Sequence, residues 1–264
     1  MIQGAPSERR TFLDSLVLLL DPTYSSLTKK YRAILNNRNA LLAKGFFDDE
    51  SYMLWSEQLL KTAVLIQKMR REALKHIERE AQQLAAELMP REENTFLTIT
   101  YTCARPYSDI HDINTFEELV QRYPKLREHE MRHRRSLFGA HLDDFRITFL
   151  GKECRTYSSR GQQKLVLFLL KLAQLQHLKS VGILGTILLV DDFITDFDVE
   201  RSKALVPLIT KLSSQVILTT PLEGSLLQGH LFQQFHSAEA QVIEINHYST
   251  PLKKPSPSQQ DTNL

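Results

Sequence analysis

The apolar positions of this chain change period several times, and each change predicts an element. Over residues 7–20, FLDSLVLLL supplies the apolar face of a helix that Ser7 is placed to cap and that Asp21-Pro22 ends. A second amphipathic helix is predicted over 25–44 and stops at Gly45, a C-cap residue. Asn36, Asn37 and Asn39 form helix interiors poorly, so their side chains are expected to cap or to bridge to an adjoining lobe. The stretch 49–89 is the longest helix. Leu74, Ile77, Ala81, Leu84 and Leu88 step by three and four, while Trp55, Leu59, Ile66 and Met69 make a second seam slightly out of phase. A helix of that length spans roughly 60 Å, too long to pack wholly within a small head. It is expected to pair with the 25–44 helix as an antiparallel arm.

Beyond Pro90 the period falls to two. Residues 96–102, FLTITYT, alternate as a half-exposed strand, and 116–135 return to helix with a break at Tyr123-Pro124. A strand over 145–150, a tight turn at Gly151-Lys152 and 154–157 read as a hairpin. A Ser-Arg-Gly-Gln turn at 159–162 opens an apolar helix. Ile187, Leu188, Leu189 and Val190 then form a continuous aliphatic run, which suits a parallel strand buried on both faces. A helix over 199–212, a buried strand over 215–220 and a closing strand over 240–247 follow; the tail from 249 is rich in Pro, Ser, Lys and Gln and reads as disordered. Strands alternating with helices place the chain in the α/β class.

With 264 residues and 42% hydrophobic content the chain can bury a substantial core in one or two domains. A net charge of +2 does not by itself announce a nucleic-acid binder. Cations nevertheless crowd one stretch: Arg122, Lys125, Arg127, Arg132, Arg134 and Arg135, with His129 and His133 among them. DNA phosphates would attract such a cluster, and Arg132, Arg134 and Arg135 are its candidate contacts; equally, cations near a helix C-terminus complement the dipole, and Glu128 and Glu130 interleave. Arg9 and Arg10 read as a solvated first turn. The two cysteines, Cys103 and Cys154, form no C-x-x-C or Cys/His cluster and are expected to be reduced. No run of 18 apolar residues occurs and MIQGAPSERR lacks the core of a signal peptide, so a cytoplasmic protein is expected.

The chemistry-bearing residues lie at 156–198. Asp191 and Asp192 end the aliphatic strand, where α/β sheets place their ligands. Nucleoside triphosphate hydrolysis needs such a pair: one acid, Asp191, to hold a Mg²⁺ shell and the next, Asp192, to orient or deprotonate water. Upstream, Ser159 is a good N-cap, and the first amides of its helix would face an anion such as a γ-phosphate.

In combination these residues resemble the bacterial RecF recombination and repair family, a branch of the ABC-type ATPase heads. Ser159-Arg160-Gly161-Gln162-Gln163-Lys164-Leu165 looks like the family's signature motif, LLVDDF at 188–193 like its Walker B, and Asp198 falls at its D-loop aspartate. GAPSERRTFLD at 4–14, RNALL at 38–42 and FGAHLDDF at 138–145 agree. In the last, Ala140 and Leu142 replace the usual Pro and Arg; His141 and Asp143 either neighbour the nucleotide or stabilise a turn. Thr219 and Thr220 stand where related heads carry a switch histidine. The family's phosphate loop, G-x-x-G-x-G-K-[ST], is absent, so the chain looks like the C-terminal part of a RecF.

The resemblance implies an incomplete ABC-type head with a parallel-rich sheet plus a helical, antiparallel coiled-coil-like arm. Residues 1–24 would be a remnant of ATPase lobe I, 25–136 the arm lobe, 137–248 the C-terminal ATPase lobe and 249–264 a tail. It implies ATP and Mg²⁺ as cofactors, with Asp191 and Asp192 catalytic, Asp191 on the metal through water, and Ser159, Arg160, Gly161, Gln162 and Asp198 at the nucleotide. It further implies binding of single-stranded and gapped duplex DNA in replication, recombinational repair and the SOS response, an ATP-dependent homodimer, and RecR- and RecO-type mediators. Without the loop, no ATPase activity is expected from the chain alone, and the strands at 187–190 and 216–218 are expected to leave an apolar patch exposed. The other reading is a non-catalytic interaction module lending its signature face or arm to a partner.

Overall fold

The computed structural model describes residues 1–45, 48–89, 97–103, 107, 110–191, 199–212 and 214–219, with backbone alone over 199–203. Three helices open the chain. Helix α1, Pro6–Leu20, starts with Pro6 in its first turn and Ala5 at the N-cap position; no side chain caps it, so Ser7 does not have the role expected of it. Proline suits that place because its missing N–H would have no partner there. Helix α2, Thr23–Lys44, ends on Gly45 in the left-handed region as anticipated, and helix α3, Asp49–Leu88, is capped by Asp48, whose carboxylate accepts from Ser51 N at 2.7 Å. Arg38 of α2 meets Ser56 of α3, and Tyr24 meets Arg70, so the two helices run antiparallel.

Helix α3 does more than pair with α2. Leu59, Ile66, Leu74, Ile77, Ala81 and Leu84 are all buried, and its second half lies against helix α7, Arg160–Ser180, and strand β1, Leu97–Thr102. The rod is therefore the spine of the molecule, with the part as far as Arg70 serving the α2 pair. Helix α7 buries Leu165, Val166, Leu169, Leu170, Leu172 and Ala173, apolar on most of its circumference, as a helix inside a layered core must be.

Strand β1 pairs antiparallel with β2, Asp144–Phe149, from Leu97↔Phe149 to Thr102↔Asp144; β3, Lys152–Glu153, continues the sheet as two residues. Leu150 and Gly151, both at positive φ, make the turn. The expected hairpin is present, but Cys154–Tyr157 is a helical turn, α6, and not its second strand. Helices α4, Phe116–Arg122, and α5, Leu126–His133, are separated at Tyr123-Pro124 as predicted. Strands β4, Ile187–Val190, and β5, Gln215–Leu218, form a parallel pair, with α8, Val199–Thr210, between them in sequence. Among the described residues this parallel pair is a sheet of its own, separate from β1-β2-β3. Residues 220, 240–247 and the tail lie outside them. No described helix is long and apolar enough to cross a membrane.

Two buried arginines join these layers. Arg70 of α3 donates Nε and Nη2 to the Asp14 carboxylate at 2.8 and 3.0 Å, and Nη1 to the Ala140 carbonyl at 2.7 Å. Asp143, 1% exposed, accepts from Gln67 at 2.9 Å and from the Tyr101 hydroxyl at 2.5 Å, with Arg70 farther off at 3.4 Å. Burial pushes the Asp143 carboxyl up, and these donors offset that only in part. Arg38, fully buried on α2, forks onto Glu130 of α5, with Nη1 at 2.9 Å from Oε1, and reaches Ser56 and Ser136 at 2.9 and 2.8 Å. Tyr52 donates to the same carboxylate at 2.8 Å, and Leu137 N donates to it at 2.9 Å. Asn39 accepts from both the amide and hydroxyl of Ser136 at 2.8 Å, the expected bridge, whereas Asn36 and Asn37 are exposed.

Arg9 and Arg10 are also held. Arg9, 5% exposed, forks onto Asp144 at 2.7 Å through both Nε and Nη2, and Arg10 donates to the Asp143 carbonyl at 2.9 Å. The solvated first turn is thereby corrected: the helix lies on β2, and a carboxylate at the start of that strand draws the guanidinium inward.

The segment between α5 and β2 turns through Gly139 and a single 3-10 turn at Ala140–Leu142. Gly139 has φ +114°, and a Cβ there would stand 2.6 Å from the Tyr31 hydroxyl oxygen. That hydroxyl lies 2.7 Å from His141 Nδ1 and accepts from the His141 amide at 3.2 Å. Burial, reinforced by Arg10, Arg38 and Arg135, lowers the His141 pKa to about 4. Gly139→Ala is expected to cost about 1–3 kcal/mol, read as a lower Tm. Because the unfolded chain takes up a proton that His141 refuses until about pH 4, stability should fall as pH drops from 6.5 toward 4, by up to about 3 kcal/mol. His141→Asn, which keeps an acceptor for Tyr31 but cannot titrate, should flatten that part of the loss in urea unfolding at pH 7 and pH 5.

Candidate nucleotide-facing site

The start of α7 is built by its own sequence. Ser159 occupies the N-cap with extended backbone; its hydroxyl accepts from the Gln162 amide at 3.2 Å, and the Gln162 side-chain carbonyl accepts from Ser159 N at 2.9 Å. This reciprocal capping box leaves the Arg160 and Gly161 amides without intrahelical acceptors, as in any first turn. Ser159 and Arg160 are exposed and Gly161 and Gln162 half-buried, so the helix start opens to solvent and not to the interior. The Ser159 hydroxyl, an acceptor toward Gln162, retains its own O–H as a donor.

The approach to this corner is fixed from behind. Gln163 donates its side-chain amide to the Cys154 and Ser158 carbonyls at 3.3 and 3.0 Å, clamping α6 against α7. Gln3 donates to Gln163 Oε1 at 3.1 Å and to the Arg155 carbonyl at 3.2 Å. Gln163 carries no sequence signal beyond its place in the 159–165 motif, and Gln3 carries none at all.

Asp191 follows β4 at the carboxyl end of the parallel pair and is exposed. Thr219, directly after β5, continues the ladder through its amide to the Val190 carbonyl at 2.9 Å and donates its hydroxyl to Asp191 Oδ1. The register Val190↔Leu218 brings the two together. Asp192, Asp198 and Thr220 lie outside the described residues. Among the described residues no three His, Cys, Asp or Glu side chains gather into a cluster that could hold a metal. Asp191 is a hard oxygen ligand of the kind Mg²⁺ accepts singly, completing its shell with water, and in that way it fits the ion.

One face of this sheet is open. Leu188 is buried, but Leu189 is 70% and Ile187 58% exposed, and Leu184, Val181 and Ile217 extend the apolar surface. The expectation of a strand covered on both faces is corrected: Leu188 joins the core, with Val190, Val216 and Leu218 packed partly against it, while nothing among the described residues covers Ile187 and Leu189. The exposed patch, in contrast, is as anticipated.

His141 and Asp143 belong to the interior and to the turn they stabilise. Arg132, Arg134 and Arg135 are exposed at the end of α5, whereas Arg127 pairs with Asp49 and Arg122 with Asp112. Sequence reading overlooked Arg70 and met Arg38, Asp14 and Glu130 only inside motifs or among interleaved charges, without giving them a buried role; all four are heavily bonded. A signal existed: Arg38 stands in the stripe Tyr31, Ile34, Arg38, Leu42 and Arg70 in Ala63, Ile66, Arg70, Ala73, positions where a charge implies a buried partner.

No family profile matches the chain. Curated relatives do. The chain is 32% identical over 256 residues to the DNA replication and repair protein RecF of Synechococcus sp. (strain JA-2-3B'a(2-13)), covering 93% of this chain and 64% of the relative. It is 31% identical over 242 residues to the RecF of Myxococcus xanthus (strain DK1622), covering 87% and 60%. Among solved structures, the recombination mediator protein RecF-ATP of the RecFOR pathway superposes with a TM-score of 0.69 at 26% identity, over 85% of this chain and 60% of that one. The chain thus spans less than two thirds of each of these relatives. Sequence shared over nearly its whole length, and a fold shared over most of it, make this a RecF-type protein whose architecture is that of an incomplete ABC-type ATPase head with a helical arm.

Proposed function

We propose that the chain supplies the signature face and Walker B acid of a RecF-type head working in DNA replication and repair. The observation that carries this reading is the open, capping-boxed start of α7 at Ser159 together with Asp191 at the end of β4. Ser159, with Arg160, Gly161 and Gln162, would face the terminal phosphate of an ATP bound by another protomer, through a hydroxyl and first-turn amides at the positive end of a helix of 21 residues. Asp191, oriented by Thr219, would hold the Mg²⁺ shell on its own side, with Asp192 beside it as the acid that orients water and Asp198 at the D-loop. ATP and Mg²⁺ supply the phosphoryl group and the charge neutralisation; the chain's contribution is to position donors and acids around them. Pairing of two heads around the nucleotide, action on gapped or single-stranded DNA through Arg132, Arg134 and Arg135, a role in the SOS response and RecR- or RecO-type mediators complete the proposal.

The lysine and amides of a phosphate loop are absent from these residues. The 264-residue chain alone is therefore expected to show no steady ATP hydrolysis; a rate lost on Asp192→Asn would overturn that. Co-expression with the phosphate-loop segment of a RecF relative should cover Leu184, Ile187, Leu189 and Ile217 and restore hydrolysis, which Asp191→Asn should lower about 10²–10³-fold. Ser159→Ala should separately cost about 1 kcal/mol of stability through the lost cap, measured in urea. The exposed apolar face favours a second reading, a non-catalytic module that docks a partner there. It predicts a stable complex with the added segment and no hydrolysis.

A further inference from the structure

The run 132–135 is exposed throughout, yet both of its flanks are anchored in the interior. On one side Glu130, fully buried, takes the Arg38 fork; on the other, Leu137 N donates to that same carboxylate at 2.9 Å and Ser136 bonds Arg38 and Asn39 at 2.8 Å. A single carboxylate therefore grips the chain on either side of the arginines. Between these grips the backbone turns sharply: Arg134 sits at φ +51°, the C-cap of α5. It is one of two non-glycine residues at positive φ among those described, a conformation that persists only where surrounding contacts over-determine it. The Arg38 guanidinium is itself confined, lying 5.0 Å from the centre of the Tyr52 ring and 4.9 Å from that of Phe138.

The arginines so displayed differ from their neighbours. Arg122 and Arg127 are engaged by Asp112 and Asp49, while Arg132, Arg134 and Arg135 make no ion pair among the described residues. Three guanidinium forks on one tight turn suit successive oxygens of a polyanion, and the fork geometry favours phosphate.

We propose that Arg132, Arg134 and Arg135 form a cap that grips the phosphate backbone of nucleic acid, and that the buried Arg38–Glu130 pair sets the cap's geometry from beneath, making Arg38 a positioning residue. The first half rests on the DNA-binding reading above; the second half is new and has its own readout. A buried pair is an expensive way to gain stability, since apolar residues of similar bulk often serve as well. Its use here follows from what it holds: a fork whose loss would free both flanks of the arginine turn together.

The test uses the whole chain, a labelled gapped DNA duplex and a salt series followed by fluorescence anisotropy, with polyglutamate as competitor and trypsin cleavage after 132, 134 and 135 as a second measurement. Arg132→Gln/Arg134→Gln/Arg135→Gln should flatten the slope of log affinity against log salt by about 0.9 for each arginine. Arg38→Met/Glu130→Leu leaves no charge unpaired and retains all three arginines; folded by circular dichroism and cooperative melting, it should bind DNA several-fold more weakly and be cut faster in the cap. Arg38→Lys, which keeps the charge but not the fork, should shift both readouts the same way and serves if the double variant does not fold. A folded Arg38 variant with unchanged affinity and cleavage would sink the positioning role while leaving the DNA reading intact. A triple-glutamine variant that binds like the parent would overturn the phosphate cap while leaving the DNA reading intact; polyglutamate competing as well as DNA would overturn both.

Discussion

A guanidinium taken out of water must have its donors met, and two arginines of the helical pair impose that demand on everything around them. Arg38 and Arg70 reach from α2 and α3 toward the segment that runs from α5 into β2. One finds Glu130, Ser56 and Ser136; the other finds Asp14, the Ala140 carbonyl and Asp143. Removing either partner would leave a charge in the interior, a loss of about 3–5 kcal/mol in comparable pairs. The connecting segment, which has little regular structure of its own, is placed by these bonds and by the Tyr31–His141 contact. Helical arm and sheet are thereby fixed to one another.

The open end of the molecule follows a different logic. At the start of α7 the bonding is local, with Ser159 and Gln162 satisfying each other's backbone, so the corner keeps its shape while remaining exposed. Asp191 and Thr219 are joined because a parallel register sets their strand ends side by side. The aliphatic residues next to them lie bare on one face. Such a surface is costly in water and favours association, which links this open face to the proposed division of the nucleotide site between polypeptides.

Much of this was written in the order of residues. Helical spacing placed α1, α2 and α3 nearly to their ends, Gly45 marked a terminus that only a residue tolerant of positive φ makes easily, and Tyr123-Pro124 marked the break between α4 and α5. Ser159 was legible as a cap because its bonding reaches only three residues along the chain. Sequence also carried the family, through motifs that the relatives share.

Tertiary structure alone decided which charges are buried and which strand faces are bare. Arg9 lies against Asp144, 135 residues away, and Arg38 against Glu130, 92 away. Local pattern assigned the first to solvent and passed over the second, because a long-range partner has no period to betray it. The same holds for β4: four consecutive aliphatic residues specify a strand with two apolar faces, but whether each face is covered depends on what else packs there. Periodicity is a property of neighbours along the chain, whereas burial of charge and completeness of a layer are properties of neighbours in space.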